Sequence, residues 1–232
     1  MNISKIRHKN EFFMALVFVF LFLVFSLIGS SFFTLTNIMN LFSQMAILGL
    51  LTLGMSASMI SGGMDLSIGA ICSLCTVLLS TLIGTYGMNE FQAVILVVIA
   101  AVACGILNGV LIGYFKINSM LVTLGTQSLF TGIGLVVSKG ITVSLPTDRF
   151  ALFGRYRIFG VVPFQIIILL IAVCVAILLF NYTIVGRRIC LIGSNPEVAR
   201  FSGVNLPRNI IFTYIFSALA ALLAALVITS RV

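Results

Sequence analysis

Apolar runs of about 20 residues recur along the whole chain, a length matched to the hydrocarbon core of a bilayer. They lie at Phe12–Phe33, Ile38–Ile60, Leu66–Tyr86, Phe91–Gly113, Ser119–Ser138, Pro163–Tyr182 and Ile210–Thr229. The pattern predicts an all-α, polytopic membrane helix bundle of about seven spans, a single transmembrane domain over 1–232. A closed β-barrel would need alternating segments of about 10 residues, and these runs do not alternate.

Composition decides which chemistry such a bundle can carry. Of 232 residues 61% are hydrophobic and 8% charged, against about 25% charged in a soluble domain. Five acids and one histidine, His8, leave almost nothing for acid–base catalysis or metal ligation, so neither an enzyme nor a chain with its own cofactor is expected. The net charge of +8 does not point to nucleic acid, because the charges sit between apolar runs and not on one solvated face. In a membrane protein the same excess marks cytoplasmic loops. With the N-terminus in the cytoplasm, Lys5, Arg7, Lys9, Lys116, Arg187, Arg188, Arg200 and Arg208 fall inside. Lys139, Arg149, Arg155, Arg157 and Arg231 fall outside, and the inside excess favours this orientation. The loop Lys139–Val162 then faces outward and Asn181–Asn209 faces the cytoplasm.

The first run follows basic residues and ends near Gly29-Ser-Ser31, as a signal peptide does. Its apolar core exceeds the usual length of about 7–15 residues, so it reads as a retained helix. Cys72, Cys75, Cys104 and Cys174 lie inside apolar runs and read as small packing residues. The Cys72-Ser-Leu-Cys75 spacing lacks the soluble βαβ setting of a redox site.

The runs differ in polarity. The first and sixth carry almost no polar side chains and suit a lipid-facing periphery. The second to fifth carry Asn40, Ser43, Gln44, Asn108, Thr123, Gln127 and Thr131, which are costly in hydrocarbon and therefore belong in the interior. Thr123, Gln127 and Thr131 recur every fourth residue and form one stripe. That stripe, with Gln44 and Asn108, lines a solute path on one reading and bonds neighbouring helices on the other. Gly105, Gly109 and Gly113 share a face and predict close helix packing, within the subunit or between copies.

Two connections stand out. Ser61-Gly-Gly-Met-Asp-Leu-Ser-Ile-Gly69 joins two runs with almost no linker. Gly62 and Gly63 break the helix, while Asp65 and Ser67 either cap the next one or form a coupling-ion or solute site. The second connection is the cytoplasmic loop 183–208. Asn195 as N-cap, Pro196 at the first position, Glu197 in the first turn and Gly203 beyond the end bracket a helix of about two turns. Val198 and Phe201 give it one apolar edge, for a partner's groove or for the membrane surface. The chain has no Gly-x-x-x-x-Gly-Lys-Ser/Thr phosphate loop.

Together these residues resemble a known family. The Ser61–Gly69 segment resembles the signature of ribose-type sugar permeases, the membrane subunits of bacterial ABC importers. Gly105-Ile-Leu-Asn-Gly109, the Thr123-Leu-Gly125 run and Ile192–Asn205 are similar to that family's patterns in the same order. The resemblance implies monosaccharide uptake in the bacterial cytoplasmic membrane, with two permease subunits, identical or paralogous, embedded in lipid. It also implies two ATPase subunits that carry ATP and magnesium, and a periplasmic or lipid-anchored solute-binding protein. The family continues for several more helices, so the resemblance implies a permease incomplete at its C-terminus. By the same resemblance Asn195, Pro196, Glu197, Val198, Ala199, Arg200, Phe201 and Gly203 form the coupling helix that docks on the ATPase. Arg149, Arg155 and Arg157 are candidates for meeting carboxylates on the binding protein. Two other classes stay open: a secondary transporter using Asp65, Glu90 or Lys116, and a membrane scaffold without transport.

Overall fold

In the computed structural model, residues 3–29, 32–141, 154, 156–158 and 160–231 are described. The chain forms two compact units, Met1–Phe42 and Ser43–Val232. In the first, helix α1 (Ile3–Ile28) ends in a turn where Phe32 N–H donates to the Gly29 carbonyl at 3.0 Å. Phe22 packs edge-on against Phe32 and Phe33, each at 5.4 Å between ring centroids. Asn37 Nδ2 donates to the Phe32 carbonyl at 2.8 Å and fixes the start of α2 (Leu35–Ile60), which runs on into the second unit.

The second unit continues with α3 (Ile68–Ser80), which widens into a π-turn at Thr81–Thr85, then α4 (Glu90–Gly113) and α5 (Ser119–Ser138). A two-residue hairpin, β1 (Arg157–Ile158) and β2 (Val162–Pro163), leads into α6 (Phe164–Ile177), which ends in a second π-turn at Leu178–Tyr182. The chain then forms α7 (Ile184–Ser194), α8 (Pro196–Phe201) and α9 (Leu206–Thr229). Among the described residues six helices are long and apolar enough to cross a membrane: α2, α3 with its π-turn, α4, α5, α6 with its π-turn, and α9. The apolar part of α1, Phe12–Ile28, is shorter. Each of the seven runs thus forms a helix, with ends shifted by a few residues.

Two expectations are corrected here. The interior is not the second to fifth runs alone, because α9 shares the centre with α3; both are 56% buried over their most apolar stretch. The alanines of α9 (Ala218, Ala221, Ala224 and Ala225) let it pack tightly against Ile71, Cys75, Leu79 and Val97 in one core. The connection Asn181–Asn209 is not a loop with one short helix. It also contains α7, which buries Gly186, Ile189 and Ile192 and exposes Arg187 and Arg188. The predicted periphery holds for α6, only 11% buried. Cys72, Cys75 and Cys104 are buried free thiols within the core.

The glycine stripe of α4 packs within the chain, against α9. A Cβ added at Gly105 would lie 2.7 Å from Ile215 Cα, at Gly109 2.5 Å from Ile211 Cα, and at Gly113 3.0 Å from Pro207 Cα. Three consecutive turns of backbone on backbone hold α4 against α9, and both helices reach the turn that joins α2 to α3, through Asn108 and Ser217.

Candidate functional site

That turn, Ser61–Ser67, is heavily tied by polar contacts to α5 and α9. Gly62 adopts φ +86°, the left-handed region that only glycine enters cheaply, and reverses the chain after α2. Gly63 has no room for a side chain, since a Cβ there would lie 2.8 Å from the Tyr214 hydroxyl and 3.3 Å from Ser119 Cβ. Met64 N–H donates to Ser119 Oγ at 3.2 Å, and Thr123 Oγ1 donates to the Met64 carbonyl at 3.2 Å.

Asp65 follows, fully buried. Its Oδ1 accepts from Ser67 N–H at 3.1 Å and from Ser67 Oγ at 2.6 Å, while Oδ2 accepts from Ser217 Oγ at 2.6 Å. Asn108 Nδ2 donates to Ser67 Oγ at 2.8 Å, and Asn108 Oδ1 is buried without a hydrogen-bond partner. One carboxylate therefore holds the start of α3 and the middle of α9, with α4 joined through Asn108. A buried carboxylate is tolerated only when hydrogen bonds replace its lost water, and here three donors do so.

The second element is the α7–α8 hairpin. Asn195 caps α8, its Oδ1 accepting from Glu197 N–H at 3.0 Å and Val198 N–H at 3.1 Å. At the other end Gly203 (φ +75°) closes a Schellman turn, with Val204 N–H on the Ala199 carbonyl and Gly203 N–H on the Arg200 carbonyl, both at 3.0 Å. Both ends of this six-residue helix are fixed by the residues that predicted it. Only Ala199 is buried; Glu197 and Arg200 are exposed, Val198 is 48% exposed and Phe201 89%. Asn195→Ala is expected to weaken α8 by about 1 kcal/mol, read as faster amide exchange at Glu197 and Val198.

Helix α7 joins the two elements. A Cβ at Gly193 would collide with the carbonyl oxygen of Ile60, the last residue of α2, and would lie 3.2 Å from Gly62 N. At the other end of α7, Gly186 sits equally close against Leu179 and Phe180 in the π-turn of α6. The hairpin thus rests directly on the Ser61–Ser67 turn. Ile60–Ser67, Gly113–Ser119 and Gly193–Pro207 gather at one end of the second unit. Gly154, Gln165 and Ser230 meet at the other, where Gln165 Nε2 bonds the Gly154 carbonyl at 2.5 Å.

The remaining candidates separate. Asn108 and Thr123 are fully buried and bond to the Ser61–Ser67 turn, Asn108 at Ser67 and Thr123 at the Met64 carbonyl. Gln44, Gln127 and Thr131 are exposed on α2 and α5. Among the described residues nothing lies within 4 Å of a Cβ added at Gly125 or Gly132 of α5. Arg157 is exposed on β1, whereas Arg149 and Arg155 lie outside the described residues. Sequence reasoning missed Ser119, Tyr214 and Ser217. Their polar groups inside or beside apolar runs were the available signal.

Comparison with known proteins places the chain in a family. Residues 37–232 match the family described as branched-chain amino acid transport system / permease component. The chain belongs to this family of ABC importer permeases. It is 35% identical over 91% of its length to the ribose import permease protein of Bacillus subtilis (strain 168), covering 66% of that protein. It is 30% identical over 99% of its length to the autoinducer 2 import system permease protein of Photorhabdus luminescens, covering 70% of it. The counterpart of Escherichia coli (strain K12) is 30% identical over 97% of this chain, again with 70% covered. The chain therefore spans about two thirds of the length of these relatives. No solved structure matches it significantly. The family is one of transport permeases, and the six apolar helices fit a multi-pass membrane protein.

Proposed function

We propose that the chain is the membrane-spanning part of an ABC importer that carries a monosaccharide or similar small polar solute across the bacterial cytoplasmic membrane. Its N-terminus and the α7–α8 hairpin face the cytoplasm. ATP and magnesium are bound on partner ATPase subunits, and α8 docks on them. A second permease subunit completes the path, to which Gln44, Gln127 and Thr131 contribute polar side chains. A periplasmic or lipid-anchored solute-binding protein delivers the solute to the outward loop, where Arg149, Arg155 and Arg157 meet its carboxylates.

The observation that carries this reading is the contrast within α8. Both its ends are closed by backbone and side-chain hydrogen bonds, yet Phe201 is 89% exposed and Val198 beside it 48%. A short helix fixed this firmly with a large apolar side chain projecting from it is suited to enter a groove on another protein. An ion-coupled carrier is less well supported. Asp65 is fully engaged by Ser67 and Ser217, Glu90 begins α4, and Lys116 follows the end of α4.

The test is Phe201→Asp in the permease expressed with its ATPase. Radiolabelled ribose is the first probe, chosen because a relative is a ribose permease. A charge in the groove is expected to cost at least about 3 kcal/mol of docking, a loss of two orders of magnitude in ATPase binding. Uptake should fall to background while the permease still reaches the membrane. Undiminished ATPase binding by the variant would rule out α8 as the docking element.

A further inference from the structure

We propose that Asp65 is the positioning residue that joins the α7–α8 hairpin to the membrane core. This inference rests on the reading of α8 as the docking helix and names the route by which its movement enters the bundle. The route is short and continuous. α8 follows α7 with only Asn195 between them, and Gly193 of α7 presses on the Ile60 carbonyl and Gly62. Gly62 belongs to the turn whose Asp65 carboxylate holds Ser217 of α9 at 2.6 Å. α9 is locked to α4 by Gly105, Gly109 and Gly113.

Three features favour a joint over an ordinary helix cap. Asp65 spends only Oδ1 on the start of α3; Oδ2 reaches 152 residues along the chain to Ser217. The contact between α7 and the turn is backbone to backbone, at two glycines, so no flexible side chain absorbs a displacement. Finally, Thr123 and Tyr214 both meet the Met64 carbonyl, at 3.2 and 3.5 Å, so α5 and α9 grip the same turn. A displaced hairpin must carry the turn with it, and the turn must carry α9. Energetic coupling of this kind is demonstrated by mutation of the contacts, not by their proximity.

The experiment uses the full permease with its ATPase subunits and binding protein in proteoliposomes, with radiolabelled ribose as probe. Asp65→Asn keeps the side-chain shape and one acceptor for Ser67 but exchanges the charged acceptor facing Ser217 for an amide N–H, leaving at most a weaker neutral bond of reversed direction. Ser217→Ala removes the same bond from the other side. Each is expected to retain the ATPase subunits and hydrolyse ATP, yet move at least tenfold less ribose per ATP than the unaltered complex. The double variant should be no worse than Ser217→Ala alone, since both substitutions act on the same bond.

A general loss of structure would lower ATPase retention and hydrolysis together, and that result overturns the proposal. So does a wild-type ratio of ribose to ATP in Ser217→Ala, or additive losses in the double variant. The reading of α8 fails separately, if Phe201→Asp leaves ATPase binding intact.

Discussion

Replacing Gly109 with valine is expected to abolish accumulation of folded protein. A Cβ at this position lies 2.5 Å from Ile211 Cα and 3.1 Å from Ile211 Cγ1. Carbon atoms pack at about 3.5–4.0 Å, so α4 and α9 would have to part by about 1 Å before the valine methyls are counted. Separation at this level also opens the contacts at Gly105 and Gly113, because one rigid helix carries all three. Overpacking of a single core site costs about 1–3 kcal/mol, and here the obstacle is backbone that cannot rotate away. Gly132→Val is the matched control: it lies in a membrane helix of the same chain, with nothing within 4 Å of its Cβ position. Size-exclusion profiles and thermal melting of the detergent-extracted proteins should show Gly109→Val aggregated and Gly132→Val unchanged. Equal melting of the two would mean that the α4–α9 contact does not govern stability.

The second large effect is expected for Asp65→Leu. The substitution removes the acceptor for Ser67 N–H, Ser67 Oγ and Ser217 Oγ while leaving all three buried. A buried donor without a partner costs about 1–3 kcal/mol, and three of them approach the total stability of about 5–15 kcal/mol typical of a domain. Asp65→Asn keeps acceptor capacity for Ser67 and should remain folded. The pair separates loss of structure from loss of one bond: only the leucine variant should melt far below the unaltered protein. A leucine variant of wild-type stability would show that the cluster contributes little to the fold.

Much of this was legible because membrane burial writes long signals. A run of apolar residues sets each span, and Asn195, Pro196 and Gly203 state the ends of α8 so plainly that the helix falls where they put it. The stripe Gly105, Gly109 and Gly113 announced a close approach but not its partner, since a gap on one helix does not say which backbone fills it. α7 was overlooked because its apolar residues form no long run: Gly186, Arg187 and Arg188 part Ile184 and Val185 from Ile189, Leu191 and Ile192. Helix α9 was left unplaced because alanines carry no polar mark, though their small size is what admits it to the centre. The stripe of Thr123, Gln127 and Thr131 was correctly seen as one line but is covered only at Thr123. The buried positions of α5, at Val122, Thr126, Phe130 and Gly134, run one residue off that line. Periodicity gives the spacing of a face; which face is covered depends on the neighbours.

The interlocked glycine face of α4 has a mechanical consequence. Two helices in contact through their main chains at three successive levels can neither roll nor slide past each other, because either motion drives a Cα into a carbonyl. They act as one strut of about 36 Å, the length of 24 helical residues at 1.5 Å each. Any change of shape in the second unit must therefore occur around this strut. Rearrangement falls to α6, packed on few sides, and to α5, whose outer glycines meet nothing among the described residues.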